Sequence, residues 1–126
     1  MTDCFFFIPA RGGSKRFPLK NIALLHGKPL ISHVVSAIRQ AAPEARIVVS
    51  TEDQRIVEAI MHAGHREEVL IDLRPGNLGG DTASVSQVLY EFLQRTEPRE
   101  AICACVYPTA SLLTPDTIRR AVDQFF

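Results

Sequence analysis

The sequence predicts an α/β domain of three layers, α/β/α, around a mostly parallel sheet. Three observations lead there. Apolar runs of strand character alternate four times with segments of helical periodicity. The first run, Phe5-Phe6-Phe7-Ile8-Pro9, delivers a small-residue turn crowded with cations, Ala10-Arg11-Gly12-Gly13-Ser14-Lys15-Arg16. The 126 residues hold a single domain, and 46% of them are hydrophobic, enough for a core.

Residues 4–9 read as a buried strand that stops at Pro9. Residues 10–28 form a long loop punctuated by Gly12-Gly13 and Gly27-Lys28. Pro29 suits the first residue of a helix, and Ile31, Val34, Val35 and Ile38 follow at helical spacing. Arg46 to Ser50 is a β-branched strand. Thr51 or Asp53 caps the next helix, whose apolar face is Ile56, Val57, Ile60 and Met61, and Gly64 stops it. Residues 69–71 are a short strand. After a polar, glycine-containing segment, Val85, Val88, Leu89, Phe92 and Leu93 mark a third helix, with Asp81 or Thr82 as its expected cap. Residues 101–106 are a fourth strand. Thr114-Pro115 opens a last helix with Ile118, Val122 and Phe125 on one face. In such a sheet the ligand sits beyond the carboxyl ends of the strands, so the loops after residues 9, 50, 71 and 106 are the candidate site.

Composition excludes several functions. Lys plus Arg and Asp plus Glu are 14 each, so the net charge is zero and nothing supports a nucleic-acid partner. No apolar stretch nears the roughly 20 residues that span a bilayer, and no basic region precedes the first apolar run, so neither a membrane segment nor a signal peptide is expected. Cys4, Cys103 and Cys105 show neither a disulfide framework nor zinc-ligand spacing; buried thiols in the cytoplasm are expected. The four histidines show no ligand clustering. His33 reads as structural, and His62 and His65 as cations flanking a helix end.

The chemistry lies in residues 11–20, which hold Arg11, Lys15, Arg16 and Lys20 and no acid. Glycines free backbone amides, and amides with cations suit a polyphosphate. The loop is not a Walker A motif, because the Gly-Lys-Ser/Thr ending is missing, and it is not the dinucleotide fingerprint. On pattern alone a solvated turn stays open beside the phosphate site.

Ile8 to Arg16, then Pro18 and Lys20-Asn21-Ile22, resembles the opening motif of the acylneuraminate cytidylyltransferases, the CMP-sialic acid synthetases. Gly27-Lys28-Pro29-Leu30-Ile31 is similar to the family's next stretch, and Val48 to Asp53 to its second strand and turn. Arg74-Pro75, Leu78 and Asp81-Thr82-Ala83-Ser84 are similar to its third motif, and Pro108-Thr109 with Leu112 to its fourth. The resemblance covers nearly the whole chain, in order. It implies the nucleotide-diphosphosugar-transferase-like, Rossmann-like fold. It also implies CTP and an acidic nonulosonic sugar as substrates, CMP-sugar and pyrophosphate as products, a magnesium requirement and a homo-oligomer. Arg11 and Lys20 would hold the phosphates as catalytic groups, with amides of Gly12, Gly13 and Ser14 as donors. Asn21, Arg74, Ser84 and Thr109 would complete the nucleotide site, and the metal ligands stay unassigned.

Two departures bear on the substrate, at Tyr107 and at Ala110-Ser111, where the family commonly has Ser-Pro. The family usually carries Gln before Pro-Thr, where it meets the cytosine edge; this chain has Tyr107. Tyr107-Pro108-Thr109-Ala110 is similar to relatives that activate pseudaminic acid, whereas Gly80 to Ser84 is similar to the sialic acid branch. The alternatives are therefore a cytidylyltransferase for pseudaminic acid or 3-deoxy-manno-octulosonate, or an inactive nucleotide-binding or assembly module. Family members exceed 200 residues, so residues 1–126 are expected to be a partial or truncated form that self-associates and makes little CMP-sugar.

Overall fold

The structure is a computed structural model and describes residues 3–12, 19–74, 84–96, 101–110 and 112–125. Four parallel strands make the main sheet: β1 (Asp3–Pro9), β4 (Arg46–Thr51), β5 (Leu70–Leu73) and β6 (Ala101–Cys105), in the order β5-β4-β1-β6. β1 is central. Phe5 lies opposite Arg46 on one side and opposite Cys103 on the other, and Val48 of β4 lies opposite Leu70 of β5. Pairing on both edges and cover on both faces explain why Phe5 to Ile8 is an unbroken apolar run rather than an alternating one.

The pleat sorts this run onto two faces. Phe6 and Ile8 join Ile47 and Val49 beneath α1 (Leu30–Ala41), α2 (Gln54–His62) and α4 (Pro115–Phe125), which contribute Ile31, Val34, Val35, Ile38, Ile56, Ile60 and Ile118. Phe5, Phe7 and Val48 face α3 (Val85–Thr96) through Val88 and Phe92. The Phe92 ring lies 5.1 Å from that of Phe7 and 6.1 Å from that of Phe5, both tilted. Each such side chain, fully buried, contributes about 1.5–3 kcal/mol, so the paired faces account for the bulk of the hydrophobic stabilisation. The expected three-layer, Rossmann-like architecture is present, with helices unequally shared between the faces.

Local differences have physical causes. Pro29 is the N-cap of α1 rather than its first residue, because it pairs with Leu24 in a small hairpin, β2 (Leu24–Leu25) and β3 (Lys28–Pro29). His26 and Gly27 form its two-residue turn, with φ of 53° and 78°, the left-handed pair that a tight hairpin requires. Nε2–H of His33 donates to the Leu25 carbonyl at 2.7 Å, so this histidine is structural as expected. Asp53 caps α2 by accepting from the amide of Arg55 at 2.9 Å, and Thr51 instead accepts from the amide of Asp53 at 3.1 Å. The cap of α3 is Ser84: its hydroxyl accepts from the amide of Gln87 at 3.1 Å, while its own amide donates to Gln87 Oε1 at 2.9 Å. Asp81 and Thr82 lie outside the described residues. Thr114 and Pro115 open α4 as read, the Thr114 hydroxyl accepting from the amide of Thr117 at 3.2 Å. Cys103 is half-buried and Cys105 exposed, contrary to the expectation of buried thiols. No described helix is long and apolar enough to cross a membrane.

Candidate functional site

At the carboxyl end of the sheet the backbone ladder runs past the strands. The amide of Ala10 donates to the Ser50 carbonyl at 2.8 Å, that of Arg74 to Thr51 at 2.9 Å, and that of Val106 to Phe7 at 3.0 Å. Four strand ends are thus held side by side as they release their loops. The strand order reverses direction between β1 and β6, the switch point where such sheets bind ligands.

The cationic loop leaves β1 here, and its neck is closed twice. The amide of Leu19 donates to the Gly12 carbonyl at 3.1 Å, and Nδ2 of buried Asn21 donates to the Arg11 carbonyl at 2.9 Å. Asn21, expected to help to seat the nucleotide, has a structural duty in the described residues. Arg11 is half-buried, and Lys20 is exposed on the 3-10 turn Lys20–Ile22. Gly13 and Ser14 lie outside the described residues.

Gly12 is packed against the turn between β4 and α2. A Cβ built there would fall 1.9 Å from Oδ2 of Asp53, so only glycine fits without a shift. Its amide, expected to be a free phosphate donor, instead donates to Oε1 of Glu52 at 2.5 Å. The other oxygen of Glu52 accepts from Nη2 of Arg74 at 3.2 Å. Arg74 is buried, and its Nε finds no acceptor among the described residues. One carboxylate thus joins the loops that follow β1, β4 and β5.

Sequence reasoning gave Glu52 no role. The available signal was an acid immediately after a strand, one strand over from a loop of cations. Asp53 beside it holds Arg55 through two side-chain bonds, Nε to Oδ1 at 3.0 Å and Nη2 to Oδ2 at 2.7 Å. These bonds, ahead of the opposing effect of burial, hold the Asp53 carboxyl below the ordinary carboxylate value.

Among the described residues, no hydrogen bond joins the other expected residues, Ser84 and Thr109, to this cluster. Ser84 is exposed and engaged in capping α3. Thr109 is exposed in the turn after β6, where the amide of Ala110 donates to the Tyr107 carbonyl at 3.1 Å; Pro108 is buried and Tyr107 exposed. As for magnesium, no group of three or more His, Cys, Asp or Glu side chains able to hold a metal occurs among the described residues. Glu52 and Asp53 are already committed to Arg74 and Arg55. The magnesium ligands therefore stay unassigned among the described residues.

Two further features lie outside the site. A cleft of about 670 Å³, lined by Phe5, Arg46, Val48, Leu70, Phe92 and Thr96 among others, opens at the opposite end of the sheet. Ser32, His65 and Glu68 have the connectivity of a Ser-His-acid triad: Ser32 Oγ lies 2.6 Å from Nε2 of His65, whose Nδ1–H donates to Oε1 of Glu68 at 3.1 Å. Both Ser32 and His65 are buried, so the set ties α1 to the segment after α2 instead of meeting a substrate. His65, expected to flank a helix end, is thus a buried link between α1 and the segment after α2.

Known proteins resemble this chain in sequence and in fold. Over 121 residues the chain is 35% identical to a pseudaminic acid cytidylyltransferase of Campylobacter jejuni, covering 94% of this chain and 51% of that protein. It is 37% identical over 119 residues to a CMP-N,N'-diacetyllegionaminic acid synthase of Legionella pneumophila, covering 92% and 50%. The chain thus spans about half the length of these relatives. Among solved structures, a CMP:2-keto-3-deoxy-manno-octonic acid synthetase complexed with CTP superimposes with a TM-score of 0.77 at 24% identity, over 98% of this chain and 47% of that one. Residues 5–126 match the sequence pattern of the cytidylyltransferases, and the chain belongs to that family.

Proposed function

We propose that this chain carries the nucleotide-binding part of a CTP-dependent cytidylyltransferase that joins CMP to an acidic nonulosonic sugar and releases pyrophosphate. The observation that carries this reading is the gathering of Arg74 and the neck of the cationic loop around Glu52, at the carboxyl end of the sheet. In the proposed reaction the anomeric hydroxyl oxygen of the sugar attacks the α-phosphorus of CTP. The bond from that phosphorus to the bridging oxygen breaks, pyrophosphate leaves with that oxygen, and the hydroxyl proton passes to solvent. Such a transfer needs positioning and charge stabilisation more than covalent help from the protein. Arg11 and Lys20 would supply the charge, Arg74 directed N–H donors, and the closed loop neck the positioning.

The sugar is proposed to be of the pseudaminic or legionaminic kind, not N-acetylneuraminate. The two relatives named above support this, as does Tyr107-Pro108-Thr109-Ala110 after β6. Calorimetric titration with CTP, UTP, ATP and GTP tests the nucleotide, and CTP should bind tightest. Pyrophosphate release with CTP, magnesium and a panel of sugar acids tests the acceptor. Equal affinity for all four nucleotides would refute cytidine recognition. Preference for 3-deoxy-manno-octulosonate or N-acetylneuraminate would refute the proposed sugar.

A further inference from the structure

We infer that Glu52 is a positioning residue of the nucleotide site, acting through Arg74 and Gly12 and never on the substrate itself. The inference rests on the proposed CTP reading and assigns a role that the family resemblance does not carry.

A carboxylate repels a triphosphate, so Glu52 is an odd neighbour for a phosphate loop unless its charge is spent elsewhere. It is spent on Nη2 of Arg74, at 3.2 Å, and on the amide of Gly12, at 2.5 Å. Both are charge-assisted bonds, stronger and more directional than neutral ones. The Arg74 backbone is held separately, by its amide on the Thr51 carbonyl. With its amide and Nη2 both held, the guanidinium has a defined orientation. Its Nε is buried and meets no acceptor among the described residues. A buried donor left unpaired is costly, and a phosphate or base oxygen arriving at the strand ends would relieve that cost. Arg74 has five N–H donors in a rigid fork, so holding it through one leaves others for a ligand.

The opposite role, a carboxylate occupying the seat of a phosphate and leaving when CTP arrives, fits less well. Gly12 is wedged against Asp53 so closely that a Cβ would fall 1.9 Å from its Oδ2. The Glu52 side chain is itself only 16% exposed.

The test is CTP and inorganic tripolyphosphate titration of the parent, Glu52→Asp and Glu52→Gln, with far-UV circular dichroism confirming the fold. Affinity for CTP should fall in that order. Glu52→Gln should lose roughly ten- to hundredfold, the scale of a charge-assisted contact. Glu52→Asp, which keeps the charge but shortens the reach, should recover part of it. A merely structural Glu52 would lower the melting temperature and leave the affinity of the folded protein unchanged, which would overturn the inference. Tighter binding by Glu52→Gln would also overturn it, in favour of a displaced carboxylate. If Glu52→Gln does not fold, parental affinity in Glu52→Asp overturns the inference and a loss supports it. A parent that binds tripolyphosphate as tightly as CTP would refute the cytidine reading alone; the same order of variants with tripolyphosphate would still support Glu52. A parent that binds neither refutes both.

Discussion

Gly12 and Asp53 meet so closely that a Cβ on Gly12 would fall 1.9 Å from Oδ2 and 2.5 Å from Cγ of the aspartate. The glycine at the start of the cationic loop is therefore required by the turn after β4. Gly12→Ala should destabilise the fold by about 1–3 kcal/mol, the usual scale of overpacking, read as a lower thermal midpoint. Asp53→Gly keeps an acceptable N-cap and removes most of the obstacle. In that background Gly12→Ala should cost clearly less. Equal costs in the two backgrounds would show that the residues do not collide.

Lys20 and Asn21 are neighbours with different duties. Lys20 is exposed, so Lys20→Ala should leave the melting temperature unchanged and weaken CTP binding by roughly tenfold, the loss of one charge-assisted contact. Asn21 is buried and closes the loop neck on the Arg11 carbonyl. Asn21→Ala should weaken CTP binding and also lower stability by about 1–3 kcal/mol, because it removes a buried donor and opens the neck. Calorimetry and thermal unfolding on both variants check the split. A melting temperature that falls equally in both would refute it.

Asp53 sets a pH dependence. Its carboxyl sits below the ordinary value of 3.8, chiefly through its side-chain bonds to Arg55. A carboxyl depressed in the folded state adds stability that is fully present above its unfolded value and is lost as pH falls through the folded one. Glu91, depressed from 4.5 by its side-chain bonds to Arg95, acts in the same direction. Stability should therefore be flat above about pH 5 and decline below about pH 4. Asp53→Asn should be less stable at pH 7 and show a shallower acid decline. A parallel decline in denaturant midpoints of parent and variant would exclude Asp53 as a contributor.

Ser32 and His65 offer a control away from the site. Ser32→Ala leaves Nε2 of His65 buried without its partner, at a cost of about 1–3 kcal/mol. CTP affinity of the folded variant should be unchanged. A selective loss of CTP binding would join this buried link to the site.

The sequence by itself determined the parallel sheet and most of its parts. Period-3.6 spacing places Ile31, Val34, Val35 and Ile38 on one face of α1, and burial on both faces makes Phe5 to Ile8 continuously apolar; both patterns are local and survive in one dimension. It also determined where to look, because cations after a first strand must lie at the carboxyl end of a parallel sheet. What only the tertiary structure decided is which groups are already spent. The Gly12 amide meets Glu52 across 40 positions, Arg74 meets the same carboxylate across 22, and Ser32 meets His65 across 33. No periodicity encodes such pairs. The first two arise because parallel strands bring loops that are distant in the chain to one edge, and the third because α1 packs beside the segment after α2; in each, a buried polar group takes the partner that its neighbour in space supplies.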